Sequence, residues 1–420
     1  MKRFEKFLFS LFILSIPLQL GKHFWPSFAF VNGIRVDYLS PTLYFSDALF
    51  LLLFLCSLPR LFGPLVREVK KPFLLLAFLL LFVSAFFAKT NVLSFLGMIK
   101  FFEFFYLAFY ISKTIKKGNR GKLVWLLTIG ALIETGIISV QFFIQHSIGG
   151  VLYFFGERTF SVSTPAIATF QMNGSQILRG YGTFPHPNVA AFYLFVGFVF
   201  LLACPIKERF LRVLKTFILG AVFIGIVLTF SRIIILLAIS SIIIETILVN
   251  RSKKGKKALV SVGLAVSLML VGFLLLPRFL NGVVRDWLLR AQLLGIFFQI
   301  FLNHFLIGTG FNNYFFYESI FQKTVSPILL QPVHNIYLLW IVQTGFFGAI
   351  LLIAFLKKLF IRVKSLLRNI DKKSSITRPV FILVISCLMI GLFDHYLLTL
   401  QQGQLLISII LGFTFIREKN

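Results

Sequence analysis

The sequence predicts an all-α polytopic membrane protein of about twelve transmembrane helices with a large extracytoplasmic loop, the helix number following from apolar runs of bilayer-spanning length. Two further observations support that class. The 420 residues are 58% hydrophobic and only 13% charged, with a positive mean hydropathy, far outside the averages of soluble domains. The basic residues are also distributed unevenly along the chain, as membrane topology requires.

The apolar runs fall near 7–20, 45–58, 73–88, 92–111, 123–146, 188–204, 215–231, 232–249, 258–276, 335–356, 379–397 and 399–416. A helix needs about 20 apolar residues to cross hydrocarbon, with some tolerance for tilt, and the first two runs are short by that measure. The seventh and eighth abut at Thr229-Phe230-Ser231-Arg232. The basic start followed by an apolar stretch from Phe7 has no small-residue cleavage pattern before Lys22, so a retained first helix is expected.

With the N-terminus inside, the inner segments 1–6, 59–72, 112–122, 205–215, 250–257, 357–378 and 417–420 hold most of the 42 Lys and Arg. Roughly three quarters of the cations then fall in about a fifth of the chain, the asymmetry that retention of positive loops produces. The formal net charge of +28 thus records topology, and basic runs such as 251–257 are anchors meeting anionic lipid. Nucleic acid is excluded as a partner on that ground. Cys56, Cys204 and Cys387 show no Cys-x-x-Cys spacing, so neither a zinc site nor a disulfide framework is expected.

Three long outer loops remain, 21–44, 147–187 and 277–334. The last exceeds what a connection needs and is too apolar for disorder. Its stretch Trp287 to Leu302, holding Arg290 and preceded by Arg285, is expected to form a helix at the outer interface with its guanidinium heads toward water or headgroups. From Arg278 to Gly348 the chain gathers Arg278, Arg285, Arg290, His304, Lys323 and His334 amid aromatic and glycine punctuation, and ends in His334-Asn335-Ile336-Tyr337.

Candidate chemistry lies on that outer side. Arg232 opens the eighth helix where basic residues are otherwise scarce, and a charge bordering hydrocarbon faces a cavity or partner. Arg179-Gly180-Tyr181-Gly182-Thr183-Phe184-Pro185-His186-Pro187-Asn188 specifies a tight backbone leading into a helix that Asn188 is expected to cap. Within it Arg179 is the stronger ligand contact and His186 the weaker. A neutral His334 suits a general base near pH 7, with Asn335 beside it. Guanidinium forks hold phosphate oxygens bidentately, so two or three can stabilise a departing diphosphate.

The outward acids Asp37, Glu157, Asp286, Glu318 and Asp394 stand one per segment without metal-ligand spacing, so no metal is expected. No phosphate-cradling loop, nucleophile elbow or His-Glu-x-x-His motif occurs, which argues against nucleotides and cofactors. Lys100 and Glu103, three apart, are expected to pair, while Glu134 and Glu245 are intramembrane acids that suggest a transporter as the rival class.

With these residues in view, the chain resembles the O-antigen ligase and polymerase family of polytopic glycan transferases. The matching features are Gly182-Thr183-Phe184-Pro185-His186-Pro187-Asn188, Thr229-Phe230-Ser231-Arg232, Arg290 ahead of Asn303-His304-Phe305-Leu306-Ile307-Gly308-Thr309-Gly310, and His334-Asn335 followed by Gly345-Phe346-Phe347-Gly348. The pattern departs at Phe305, where the family usually has proline, and at Leu294, where it has tryptophan, so Arg285 competes with Arg290 for the family's arginine position.

The resemblance divides the chain into N-terminal transmembrane helices over 1–174, a ligase-like region over 175–350 whose outer loop 277–334 is catalytic, and C-terminal helices over 351–420. It implies a multi-pass protein of the bacterial cytoplasmic membrane with both termini cytoplasmic and an extracytoplasmic active site. The implied reaction is metal-independent, inverting transfer of a glycan from a polyprenyl-diphosphate lipid to a hydroxyl of a glycan, lipid or protein acceptor. In it Arg232 and Arg290 grip the diphosphate and His334 activates the acceptor. Ligases, polymerases and protein glycosyltransferases share these motifs; a transporter of a small anion or sugar and a non-catalytic scaffold are the other classes.

Overall fold

The computed structural model describes residues 2–31, 33–115, 120–172, 174–250, 280–321, 330–368 and 376–416. The expected helix 258–276, the basic run 251–257, Arg278 and Lys323 lie outside the described residues, as does the side chain of Arg285. In chain order the helices are α1 Lys2–Ser15, α2 Phe45–Val69, α3 Pro72–Phe86, α4 Asn91–Thr114, α5 Arg120–Ile144, α6 Pro187–Leu202, α7 Arg209–Leu228, α8 Arg232–Asn250, α9 Leu280–Asn303, α10 Tyr314–Phe321, α11 Ile336–Arg368, α12 Thr377–Phe393, α13 Tyr396–Thr399 and α14 Gln401–Thr414. Short antiparallel pairs occupy the loop between α1 and α2 and the loop between α5 and α6: β1 Gly21–His23 with β4 Thr42–Tyr44, β2 Phe30–Val31 with β3 Ile34–Arg35, and β5 Thr169–Met172 with β6 Ser175–Leu178.

Among the described residues, α2, α4, α5, α7 and α11 are long and apolar enough to cross a membrane; there are 5 such helices by length and composition. The helices α3, α6 and α12 are apolar but shorter. Large side chains stay exposed along them, among them Leu51, Leu79, Phe82, Ile99, Phe217 and Phe360. Water would penalise such faces, whereas hydrocarbon does not. Helix α2 runs to Val69 through Pro59 and Pro64, past the expected end of its apolar run at 58.

The chain forms two compact units. The first comprises Met1–Leu20, Thr114–Leu280 and Val363–Ser386. At its centre stands α6, buried along nearly its whole length against α5, α7 and α8, as suits a helix apolar on every face. Gly130 admits it: a methyl there would collide with the Tyr193 hydroxyl.

The second unit comprises Gly21–Lys113, Asn281–Arg362 and Cys387–Asn420. One core of it packs Phe297 and Ile300 of α9 with Leu93 of α4, Ala29, Val36 and Leu39 of the loop between α1 and α2, Tyr314 and Phe315 of α10, and Leu339 and Val342 of α11. The opposite face of α9 exposes Leu288, Phe298 and Leu302. The expected interfacial helix is thus a helix, longer at both ends, with one face committed to a protein core.

Candidate active site

In the first unit a buried amide organises the loop that enters α6. Gln141 of α5 accepts from the backbone N–H groups of Tyr181 (3.0 Å) and Gly182 (2.8 Å), and donates to the Gly182 carbonyl (2.9 Å) and to Glu157 (2.8 Å). Glu134 accepts from the Thr183 N–H at 3.0 Å. Gly182 has φ +62, and a Cβ on it would strike the Glu134 carboxylate, so glycine is required there. Gly180 donates to the Leu228 carbonyl at 3.0 Å, which ties this loop to the end of α7.

Arg179 is held by those ties. Its Nε donates to the Thr229 carbonyl at 2.8 Å and its Nη2 to Asn188 Oδ1 at 2.7 Å. Asn188 does not cap α6, contrary to expectation. His186 is the cap, its Nδ1 accepting from the Asn188 N–H at 3.1 Å, because Pro187 takes the first helical position that its fixed φ suits. The Asn188 side chain is thereby available to Arg179.

Three residues beyond Thr229, Arg232 begins α8 and is exposed. Between them Phe230 adopts a left-handed φ of 53°, stacked on Phe170 at 3.7 Å. Such strain persists where the surroundings impose it and is common at functional turns. Two guanidinium groups beside a helix N-terminus make a corner suited to an anion.

In the second unit, three of the residues singled out in the sequence meet at one turn. Asn335 caps α11, its Oδ1 accepting from Tyr337 N (2.9 Å) and Leu338 N (3.0 Å), and its Nδ2 donates to the Leu392 carbonyl at 3.3 Å. Arg290 of α9 donates through Nη1 to the Phe393 carbonyl at 3.1 Å. These bonds satisfy carbonyls at the end of α12 that have no partner within the helix. The next residue, Asp394, is buried and accepts the His395 N–H at 2.8 Å. His334 Nδ1 stands 3.8 Å from Asp394 Oδ1, and its Nε2 is 3.1 Å from Gln331 Oε1.

Gln331 is fixed from behind, its N–H donating to Glu318 Oε1 at 3.3 Å. Burial pushes the Glu318 carboxyl up to about 9 from the ordinary 4.5. His395 packs against His334, ring centroids 5.1 Å apart, and its Nδ1 is 2.8 Å from Thr399 Oγ1. One ligating atom from each of His334, Asp394 and His395 lies within 4.8 Å of the others.

The glycine motifs of this unit also meet. Helix α11 is broken at Gly345 (φ 67, ψ −162), and the turn after α9 bonds to the backbone there. Thr309 N–H donates to Val342 O (3.0 Å), Gly310 N–H to Gln343 O (3.1 Å) and Phe346 N–H to Phe305 O (2.7 Å). Methyls on Gly308 or Gly345 would collide with backbone across this junction. His304 beside it stacks edge-on to Tyr317 at 4.3 Å, and burial lowers its imidazole below the usual 6.5.

The structure therefore gathers Arg290, His334 and Asn335 in one unit, and Arg179, His186 and Asn188 in the other with Arg232 one turn on. Arg285 lies on the α9 backbone with its side chain outside the described residues. In the sequence Asp394 stands as one scattered acid, and His395 has no motif of its own. The available signal was an Asp-His pair interrupting two apolar runs. A search of curated proteins finds no match. Residues 188–353 match the family model described as O-antigen ligase. Over that stretch, which contains Asn188, Arg232, Arg290, His334 and Asn335, the chain is similar to the O-antigen ligase family.

Proposed function

We propose that the chain is a membrane glycosyltransferase that moves a glycan from a polyprenyl-diphosphate lipid to an acceptor hydroxyl at the extracytoplasmic face of a bacterial cytoplasmic membrane. The observation that carries this reading is the convergence of Arg290, His334 and Asn335 on the turn after α12, in a chain whose 188–353 stretch is similar to O-antigen ligases.

In the reacting state the imidazole takes the tautomer protonated at Nδ1, which turns that N–H toward Asp394, 3.8 Å away in this structure, and leaves Nε2 to accept the acceptor's proton once the acceptor displaces Gln331. The acceptor oxygen attacks the anomeric carbon from the face opposite the phosphate. The bond from that carbon to the phosphate oxygen breaks, and the diphosphate leaves with the electron pair, its growing charge met by Arg290. Inversion at carbon follows from a single displacement, and the scheme needs no metal. The arginine corner of the first unit binds anionic donor groups. A polymerase or a protein glycosyltransferase would use the same chemistry with another acceptor.

The transporter alternative rests on charges that the structure ties up. Lys100 forms ion pairs with Asp47 and, at 3.5 Å, with Glu103. Glu134 serves the loop at Thr183, and Glu245 pairs with Arg378 at 3.2 Å.

The test is transfer in vesicles from a lipid-diphosphate-linked donor to a panel of acceptors. His334→Ala is expected to lose about a hundredfold or more, the usual contribution of a general base. Asp394→Asn should lose less but clearly. Wild-type transfer by His334→Ala, at matched protein level, overturns the mechanism.

A further inference from the structure

His334, Asp394 and His395 carry a second property that the transfer scheme does not need. We propose that they form a divalent transition-metal site of the Zn2+ class, and that a bound cation silences the base. Two imidazoles and a carboxylate are a recognised donor set, with a fourth position left for water. One ligating atom from each lies within 4.8 Å of the others, and the His334–Asp394 separation is 3.8 Å. Ligands on a tetrahedral zinc stand roughly 3.3 Å apart, so small side-chain shifts close the site.

The outer hydrogen bonds have the arrangement that metal-bound histidines show. His395 Nδ1 is held by Thr399 Oγ1 (2.8 Å), which leaves its Nε2 as the ligating atom, and His334 Nε2 is held by Gln331 Oε1 (3.1 Å). An amide oxygen only accepts, so in this arrangement Nε2 carries the proton and Nδ1 presents a bare lone pair. That Nδ1 is buried, has no hydrogen-bond partner among the described residues, and faces a carboxylate oxygen. The imidazole nitrogen and the carboxylate oxygen stand 3.8 Å apart, a gap that a proton or a cation can bridge.

The choice between them sets the state of the base. With a proton on Nδ1, Nε2 is free to take the acceptor's proton. With a metal on Nδ1, the single proton of a neutral imidazole sits on Nε2 and the base is lost. This second step rests on the transferase reading; metal binding itself does not.

The experiment uses the full chain purified in detergent and titrated calorimetrically with Zn2+ alone, with Mg2+ as the hard-cation control. Wild type should bind Zn2+ at one saturable site and ignore Mg2+. His395→Gln should lose that site, and Thr399→Val should weaken it about tenfold or more, as loss of a supporting hydrogen bond does. His146→Gln should bind as wild type does. Equal Zn2+ affinity in wild type and His395→Gln, with both proteins monodisperse and equally heat-stable, overturns the site, as does a wild type that takes up no Zn2+. In the vesicle assay Zn2+ should stop transfer and a chelator restore it. Zn2+ binding without any effect on transfer overturns the silencing. Zn2+ binding by a chain that transfers nothing to any acceptor leaves the site standing and removes the transferase.

Discussion

Arg290 spends one hydrogen bond on the Phe393 carbonyl, and that bond decides what a substitution there tests. Lysine can restore a single donor to a helix C-terminus and keep the charge, but not a planar fork for two phosphate oxygens. Arg290→Lys is therefore expected to fold and to lose transfer by about tenfold or more, read as kcat/KM at matched protein level. Retained transfer would show that Arg290 only fastens α12. Glu318 offers a test of stability. The unfolded chain releases this proton near the ordinary 4.5 and the folded chain near 9, so across that window the folded state holds more protons and stability falls as pH rises. Glu318→Gln, neutral throughout, should raise the melting temperature, and by more at pH 8 than at pH 5. The arginines and His334 were legible as residues because cations and imidazole on the expected outer side of an apolar chain need a reason to be there. Asp394 and His395 were not, since their meaning comes from a partner sixty positions upstream and no local pattern records that approach.

Helices were the legible elements. Crossing hydrocarbon demands a long apolar run with its backbone satisfied internally, and the runs at 92–111, 123–146 and 188–204 reappear as α4, α5 and α6 within a few residues. The three strand pairs left no such signal; each is two to four residues long, too short for alternation to show. The break in α11 was half legible. Gly308-Thr309-Gly310 and Gly345-Phe346-Phe347-Gly348 were visible as punctuation, whereas their insertion into one another depends on backbone approach across 35 residues of chain. That junction predicts its own defect. Gly345→Ala places a methyl against the Leu306 backbone at a φ of +67, which costs about 2 kcal/mol in conformation alone. Its melting temperature should fall clearly below wild type. Gly136→Ala, with open space around it in the middle of α5, should not lower it.

The chain is a series of apolar helices whose short connections hold most of its cations. Its exposed leucines and phenylalanines would be a liability in water, and its cations would repel one another if they were spread evenly. A bilayer answers both, since hydrocarbon covers the apolar faces and anionic headgroups neutralise connections that the positive-inside rule retains on one side. This logic assigns sides without any contact being known. It puts the 147–187 loop, with the β5–β6 hairpin and Arg179, opposite the connection between α6 and α7. Both regions offer exposed positions, Ser163 on the first and Lys207 on the second. Cys56, Cys204 and Cys387 are free thiols, so they are first replaced by serine or alanine. In that background Ser163→Cys should react with a membrane-impermeant maleimide in intact cells whose outer barrier admits it. Lys207→Cys should react only after the cytoplasmic membrane is opened. The reverse pattern would place the arginine corner in the cytoplasm, where a donor displayed on the outer face cannot reach it, and would sink the transfer reaction with the topology. Labelling of both sites in intact cells would show that the 205–215 connection is not retained inside, and the charge argument would fail at that loop.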